Sequence, residues 1–234
     1  MIEKRKAEDR GHTRIDWLDS YHSFSFGEYY DPRNMGFGYL RVINEDIIEP
    51  GMGFGSHPHH NMEIITYMVD GELRHKDSMG NGSVIKNGDI QKMTAGSGII
   101  HSEFNNSETL KAHLIQIWIT PDRKGLTPGY DQKNIEELKN SNPLTLIASG
   151  DPELQKSVIK VNQNVNIYLG NLKEGENIDY MTDNSNNLWI QLIKGNLLIN
   201  GTDFEAGDGA QITETDKLSI TAKDGSEFLL FDMK

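Results

Sequence analysis

The chain has 234 residues, no cysteine and a formal net charge of −12. Disulfides, thiolate metal ligands and cysteine nucleophiles are thereby excluded together, and an acid excess shared by both halves, with no basic run, argues against direct nucleic-acid contact. The charged start MIEKRKAEDRGH lacks the apolar core of a signal peptide, and no apolar run approaches membrane-spanning length, so a soluble cytoplasmic protein with no membrane contact is expected.

All eight histidines precede residue 114, and three of them crowd into SHPHHNMEIITY (56–67). From there the first half reads as β structure. IITYMVDGELRH (64–75) is two β-favouring runs around Asp70-Gly71, a hairpin signal, and SVIKNGDIQKM (83–93) repeats it around Asn87-Gly88. HLIQIWIT (113–120) is almost continuously apolar, as suits a strand buried on both faces, and Pro121 ends it. Residues 121–145 carry three prolines and one helical piece, NIEELKN (134–140), which marks a connection.

After the connection the β pattern resumes, with echoes of the first half. LWIQLIKGNLLING (188–201) resembles IITYMVDGELRH in layout, FEAGDGAQIT (204–213) follows IKNGDIQKMT (85–94), and EFLLFDM (227–233) takes the place of HLIQIWIT. Two related β-barrels follow: an all-β chain with domains at 1–130 and 146–234 joined by 131–145. In the second copy LKEGENIDYMTDN stands where the first has the histidines. Imidazole chemistry therefore belongs to the first barrel.

Strand alternation then groups the candidates. Side chains at i and i+2 share a face, so His57 and His59 point one way and His60 the other, while His101 and Glu103 of TAGSGIIHSEFN (94–105) share a face. If the two strands are neighbours, three imidazoles and a carboxylate converge. Such a nitrogen and oxygen donor set without sulfur suits Fe(II), Mn, Co, Ni or Cu, with zinc less exclusively indicated. Glu63 has the same parity as the histidines and competes with Glu103 as the fourth ligand or as an acceptor that orients an imidazole. His75, among polar neighbours, reads as a surface residue, His60 as exposed, and His113 as a hydrogen-bonded core histidine. Gly96 and Gly98 are expected to make a positive-φ turn that aims His101, and Gly51, Gly53 and Gly55 to relieve crowding before the ligand strand. Phe54 is placed at the cavity entrance.

These residues resemble the cupin superfamily. Gly51, His57, His59 and Glu63 fit its first motif, G-x5-H-x-H-x3-E, with Gly71 one place late. Gly88, Gly96, His101 and Asn105 approximate the second, with Thr94 where a proline is usual. Those departures, and the stretch WLDSYHSFSFGEYYDPRNMGFGYLRV, are similar to the pirin family, in particular to bacterial pirin-like quercetin 2,3-dioxygenases. The resemblance implies a bicupin of two barrels packed face to face, the second degenerate, with one iron bound by His57, His59, His101 and Glu103. It implies a metal-dependent dioxygenase that opens flavonols with O₂ and releases carbon monoxide, Glu103 serving as the catalytic base. It also allows a rival, a metal- or redox-sensing regulator that binds a protein partner. A monomer is expected, with a small flavonol-like substrate and O₂ as its partners.

Overall fold

The computed structural model describes residues 1–136 and 142–234. The helical piece expected at 134–140 falls largely outside the described residues. The one helical element with described bounds is a 3-10 turn at Ala7–Asp9. Every other element with described bounds is a strand, as the β-branched runs and glycine turns lead one to expect.

Contacts divide the chain into two units. One comprises Gly11–Ile135 with Ile159–Gln163, the other Met1–Arg10, Glu136–Val158 and Asn164–Lys234. The first ten residues thus leave the amino-terminal unit, because Ile2–Arg5 pairs antiparallel with Gly209–Ile212 and extends the edge of the other unit's sheet.

Each unit is a jelly roll of one larger and one four-stranded sheet. In the amino-terminal unit the larger sheet runs Gly129–Asn134, Asp89–Thr94, Glu63–Asp70, Ala112–Ile119, Leu40–Ile48, Leu18–His22 and Gly11–Ile15. Its smaller sheet runs Gly53–His59, Ile99–Asn105, Glu72–Asp77 and Gly82–Lys86. Ala112–Ile119 lies between two antiparallel partners and is mostly buried, as its apolar run requires. In the carboxy-terminal unit the matching segments take the matching places: Asn187–Lys194 beside Ser226–Met233 in the larger sheet, and Asn177–Met181, Lys217–Ala222, Asn196–Ile199 and Thr202–Glu205 in the smaller. The internal repeat is therefore structural.

Two expectations change. Asp70-Gly71 and Asn87-Gly88 do not make hairpins. Glu63–Asp70 belongs to the larger sheet and Glu72–Asp77 to the smaller, and the same holds on either side of Asn87-Gly88. These turns are corners where the chain changes sheet; the real hairpin joins Glu72–Asp77 to Gly82–Lys86, with Glu72 opposite Lys86. The second change follows from the first. The corners separate two facing sheets whose ladders are not continuous, so each unit is a sandwich-like jelly roll and not a closed hydrogen-bonded barrel.

The cores of the two units differ in kind. Among the described residues, a large continuous apolar cluster of the carboxy-terminal unit includes Leu188, Ile190, Leu192, Phe204 and Leu230. Smaller clusters in the amino-terminal unit gather around Ile48, Met68, Leu73 and Leu114 and around Ile64, Met93 and Ile99. Buried polar side chains occupy the inner face between them, among them His22, Asn44, Thr66, Gln91 and Gln116. A buried aliphatic side chain contributes about 1.5–3 kcal/mol, so polar residues there give up stability for something else. The site lies in that interval.

Candidate metal centre

Gly53–His59 and Ile99–Asn105 are antiparallel neighbours, with His101 opposite His57 and Ile99 opposite His59. The condition set by strand parity is met. The ring centroids of His57 and His59 lie 4.7 Å apart, those of His57 and His101 4.4 Å, and those of His59 and His101 4.9 Å. One nitrogen from each of the three falls within 4.8 Å of the others. His57 Nδ1 is 2.7 Å from the Gly55 carbonyl oxygen, so Nδ1–H donates there and Nε2 is left as the free donor atom. Both ring nitrogens of His101 are buried without a hydrogen-bond partner.

Glu103 is buried on the same strand, beyond a register shift that separates it from His101. Its Oε2 accepts from Gln116 Nε2 at 2.9 Å, and Gln116 Oε1 accepts from Trp118 Nε1 at 3.1 Å. The indole can only donate, so it forces the amide carbonyl towards itself and the amide nitrogen towards the carboxylate. Glu103 Oε1 has no partner. Glu103 and His101 share a second group with His75, their ligand atoms within 4.8 Å of one another, while the group that holds His57 and His59 omits Glu103.

His75 is thus a correction to the sequence reading, because it is fully buried. It lies opposite Glu103 in the sheet, and Asp77 accepts from its Nε2 at 3.3 Å. Its charged neighbours Arg74 and Lys76 misled. The alternation of buried Leu73, His75 and Asp77 with outward residues carried the signal. Glu63 falls in neither group. It too is buried, but its Oε2 accepts from the Asn162 backbone nitrogen at 3.1 Å and from Asn162 Nδ2 at 3.0 Å, with Lys92 Nζ 3.6 Å away. Asn61 at φ 51 turns the chain between the ligand strand and Glu63, so a parity count across it has no meaning. His60 is exposed, and His113 Nε2 pairs with Glu45 Oε1 at 3.0 Å.

The glycines act as expected at two positions. Gly96 has φ 49, and a Cβ there would lie 2.0 Å from the Leu126 carbonyl oxygen. A Cβ on Gly53 would lie 2.1 Å from the Glu103 carbonyl oxygen and 2.5 Å from Phe104 Cα. Gly53→Ala must push the two ligand strands apart, at a cost of about 1–3 kcal/mol. Its melting temperature is expected to fall by several degrees in calorimetry; an unchanged midpoint would show that the strands yield freely.

Burial dominates the electrostatics. It pushes the Glu103 carboxyl up to about 7, with the charge of Asp46 adding to the effect and the Gln116 hydrogen bond opposing it. It pushes Asp46 up to about 6, against the Ser20 hydrogen bond. Burial and then neighbouring imidazoles hold His101 down at about 2 and His59 at about 4, so both are neutral lone-pair donors near neutral pH. Unpartnered buried nitrogens, a carboxylate oxygen left free and an N/O donor set fit a single divalent transition-metal ion.

His57, His59 and Glu103 open onto a cavity of about 540 Å³, within the range of small-molecule sites. Phe54, Phe26 and Trp118 supply apolar walls, with Phe26 and Trp118 edge to face at 5.5 Å. Strand parity did not single out the other wall, which includes His22, Asn44, Asp46 and Gln116.

Comparison with known proteins agrees with this architecture. The Pirin family model matches residues 3–119, and a Quercetinase C-terminal cupin domain model matches 146–233. The chain is 45% identical over 233 residues to an Escherichia coli K12 protein named quercetin 2,3-dioxygenase, covering 100% of this chain and 99% of that protein. The crystal structure of the E. coli pirin YhhW in complex with nickel(II) superposes with a TM-score of 0.94 at 45% identity, over 100% of this chain and 99% of that one. A quercetin 2,3-dioxygenase structure from Acinetobacter baumannii, at 23% identity and a TM-score of 0.82 over 99% of this chain and 85% of that one, shares the fold. Two family models in tandem and a full-length relative at this identity leave one conclusion: the chain belongs to the pirin family.

Proposed function

We propose that this protein is a mononuclear, metal-dependent dioxygenase that opens flavonols such as quercetin with O₂, giving a depside and carbon monoxide. The observation that carries the reading is Glu103: a buried carboxyl held at one oxygen by Gln116, free at the other, and facing a cavity beside the imidazoles of His57 and His59. His57, His59, His101 and Glu103 are the proposed ligands, and Fe(II) the proposed ion. When bound, such an ion stabilises an anionic substrate oxygen and supplies the redox capacity that O₂ chemistry needs.

The chain's own residues do the rest. The cavity admits the flat substrate between Phe54, Phe26 and Trp118, and excludes bulk water from its reacting edge. Glu103 takes the proton of the flavonol 3-hydroxyl at its free oxygen, Oε1. Burial raises this carboxyl to about 7 in the metal-free protein, which marks it as a stronger base than an exposed glutamate. Gln116, locked by Trp118, keeps Oε2 in place while Oε1 works.

The test is O₂ uptake with quercetin after anaerobic loading with Fe(II), with metal content measured on the same samples. Native protein is expected to consume O₂ and release carbon monoxide. Glu103→Ala at saturating Fe(II) is expected to slow by about 10²–10⁴-fold. Native protein that retains its ion and consumes no O₂ would overturn the reading in favour of a regulator that binds a protein partner.

A further inference from the structure

The interiors of the two units can be compared strand by strand, because their sheets share one strand order. In the amino-terminal unit a cross-strand row reads His22, Asn44, Gln116, Thr66 and Gln91, each opposite the next. The matching row of the carboxy-terminal unit reads Leu146, Tyr168, Leu230, Ile190 and Ala210. The sequence repeat gives the same equivalences, aligning Thr66 with Ile190, Gln91 with Ala210 and Gln116 with Leu230. Tyr168 apart, one copy fills this row with aliphatic side chains, and the other keeps a polar belt beside the cavity of the imidazoles.

At the cavity, Asn44 of that belt and Asp46 two residues along the same strand have unused hydrogen-bonding capacity. His22 Nδ1 is 2.8 Å from Asn44 Oδ1, and His22 Nε2 is 2.9 Å from Thr13 Oγ1. The threonine hydroxyl donates to Nε2 and Nδ1–H donates to the amide carbonyl, which leaves Asn44 Nδ2 as a donor. The Ser20 hydroxyl donates to Asp46 Oδ1, which leaves Oδ2 as an acceptor. Asn44 and Asp46 both line the cavity, two positions apart on one face of Leu40–Ile48, about 6.6 Å along the strand. Neither Nδ2 nor Oδ2 makes a hydrogen bond among the described residues.

We propose that Asn44 and Asp46 form a recognition site for phenolic hydroxyls, which makes the cavity select polyhydroxylated aromatic substrates over rings that carry only the metal-chelating oxygens. This rests on the flavonol reading above and deepens it. Of two adjacent hydroxyls on a ring, one donates to Asp46 Oδ2 and the other accepts from Asn44 Nδ2. An unsubstituted ring meets neither group, and leaves a desolvated carboxyl and amide without partners. The edge-to-face pair Phe26 and Trp118 holds the ring without discriminating between the two cases.

The experiment is anaerobic binding to nickel(II)-loaded protein, followed by tryptophan fluorescence, with quercetin and with 3-hydroxyflavone. The second ligand keeps the chelating oxygens and lacks the other hydroxyls. Native protein is expected to prefer quercetin by about tenfold or more, the value of one hydrogen bond to a charged group. In Asp46→Asn and in Asn44→Leu, each checked for an intact melting transition, that ratio is expected to fall to within about threefold. A native ratio near one would overturn the proposal, and so would variants that weaken both ligands equally and keep the ratio. Failure of both ligands to bind native protein would instead overturn the flavonol reading, and the recognition site with it.

Discussion

His101→Leu is expected to abolish retention of a divalent ion while leaving the fold intact. His101 is the one imidazole shared by both groups of metal-capable atoms, and its two nitrogens have no other partner. Loss of an outer hydrogen-bond partner commonly costs 10–100-fold in metal affinity, so loss of the shared ligand should exceed about 100-fold. The variant's own stability should change little, since leucine keeps most of the volume and removes two unpaired buried nitrogens. The two effects separate in one calorimetric series. Nickel(II) at a hundredfold excess over its dissociation constant should stabilise native protein by about 2.7 kcal/mol, and should leave the His101→Leu midpoint where it was. A variant that still shifts with nickel(II) would place the ion elsewhere.

With Glu103 as a proposed ligand, metal binding is expected to release its proton, and the affinity is expected to fall as the solution is acidified below about pH 7. The sign follows from the raised carboxyl: in the metal-free protein Glu103 is mainly neutral at pH 6 and mainly ionised at pH 8. An ion that binds its carboxylate must displace the proton at pH 6 and finds none at pH 8. His59 and His101, held at about 4 and about 2, release nothing in that interval. The contribution of Glu103 approaches a tenfold loss of affinity per pH unit on the acid side. Titration calorimetry in buffers of different ionisation enthalpy counts the protons directly. Glu103→Gln should release about one fewer than native protein at pH 6. Equal counts in the two proteins would mean that Glu103 stays off the ion.

Shared faces were legible where the information was local. His57 with His59, and His101 with Glu103, each lie within one strand, where alternation alone assigns a face. The repeat of glycine corners and apolar runs announced two copies of one all-β unit, and the missing histidines of the second copy assigned the chemistry to the first. Reasoning failed wherever a turn intervened. Glu63 shared the parity of His59, yet Asn61 reverses the chain between them and sends Glu63 to Asn162 and Lys92. Asp70-Gly71 had the composition of a hairpin, but both flanking runs are apolar on their inner faces, and burying them against each other takes two sheets.

By itself, then, the sequence determined the fold class, the tandem repeat, the family resemblance and four candidate ligands, all of them properties of short-range period and spacing. Only the tertiary structure decided that His75 is buried opposite Glu103, that Gln116 and Trp118 orient that carboxylate, and that Asn44 and Asp46 face the same cavity. These are relations between strands brought together from distant parts of the chain. Their register is set by corners, bulges and the packing of two sheets, and no periodicity within a single strand encodes it.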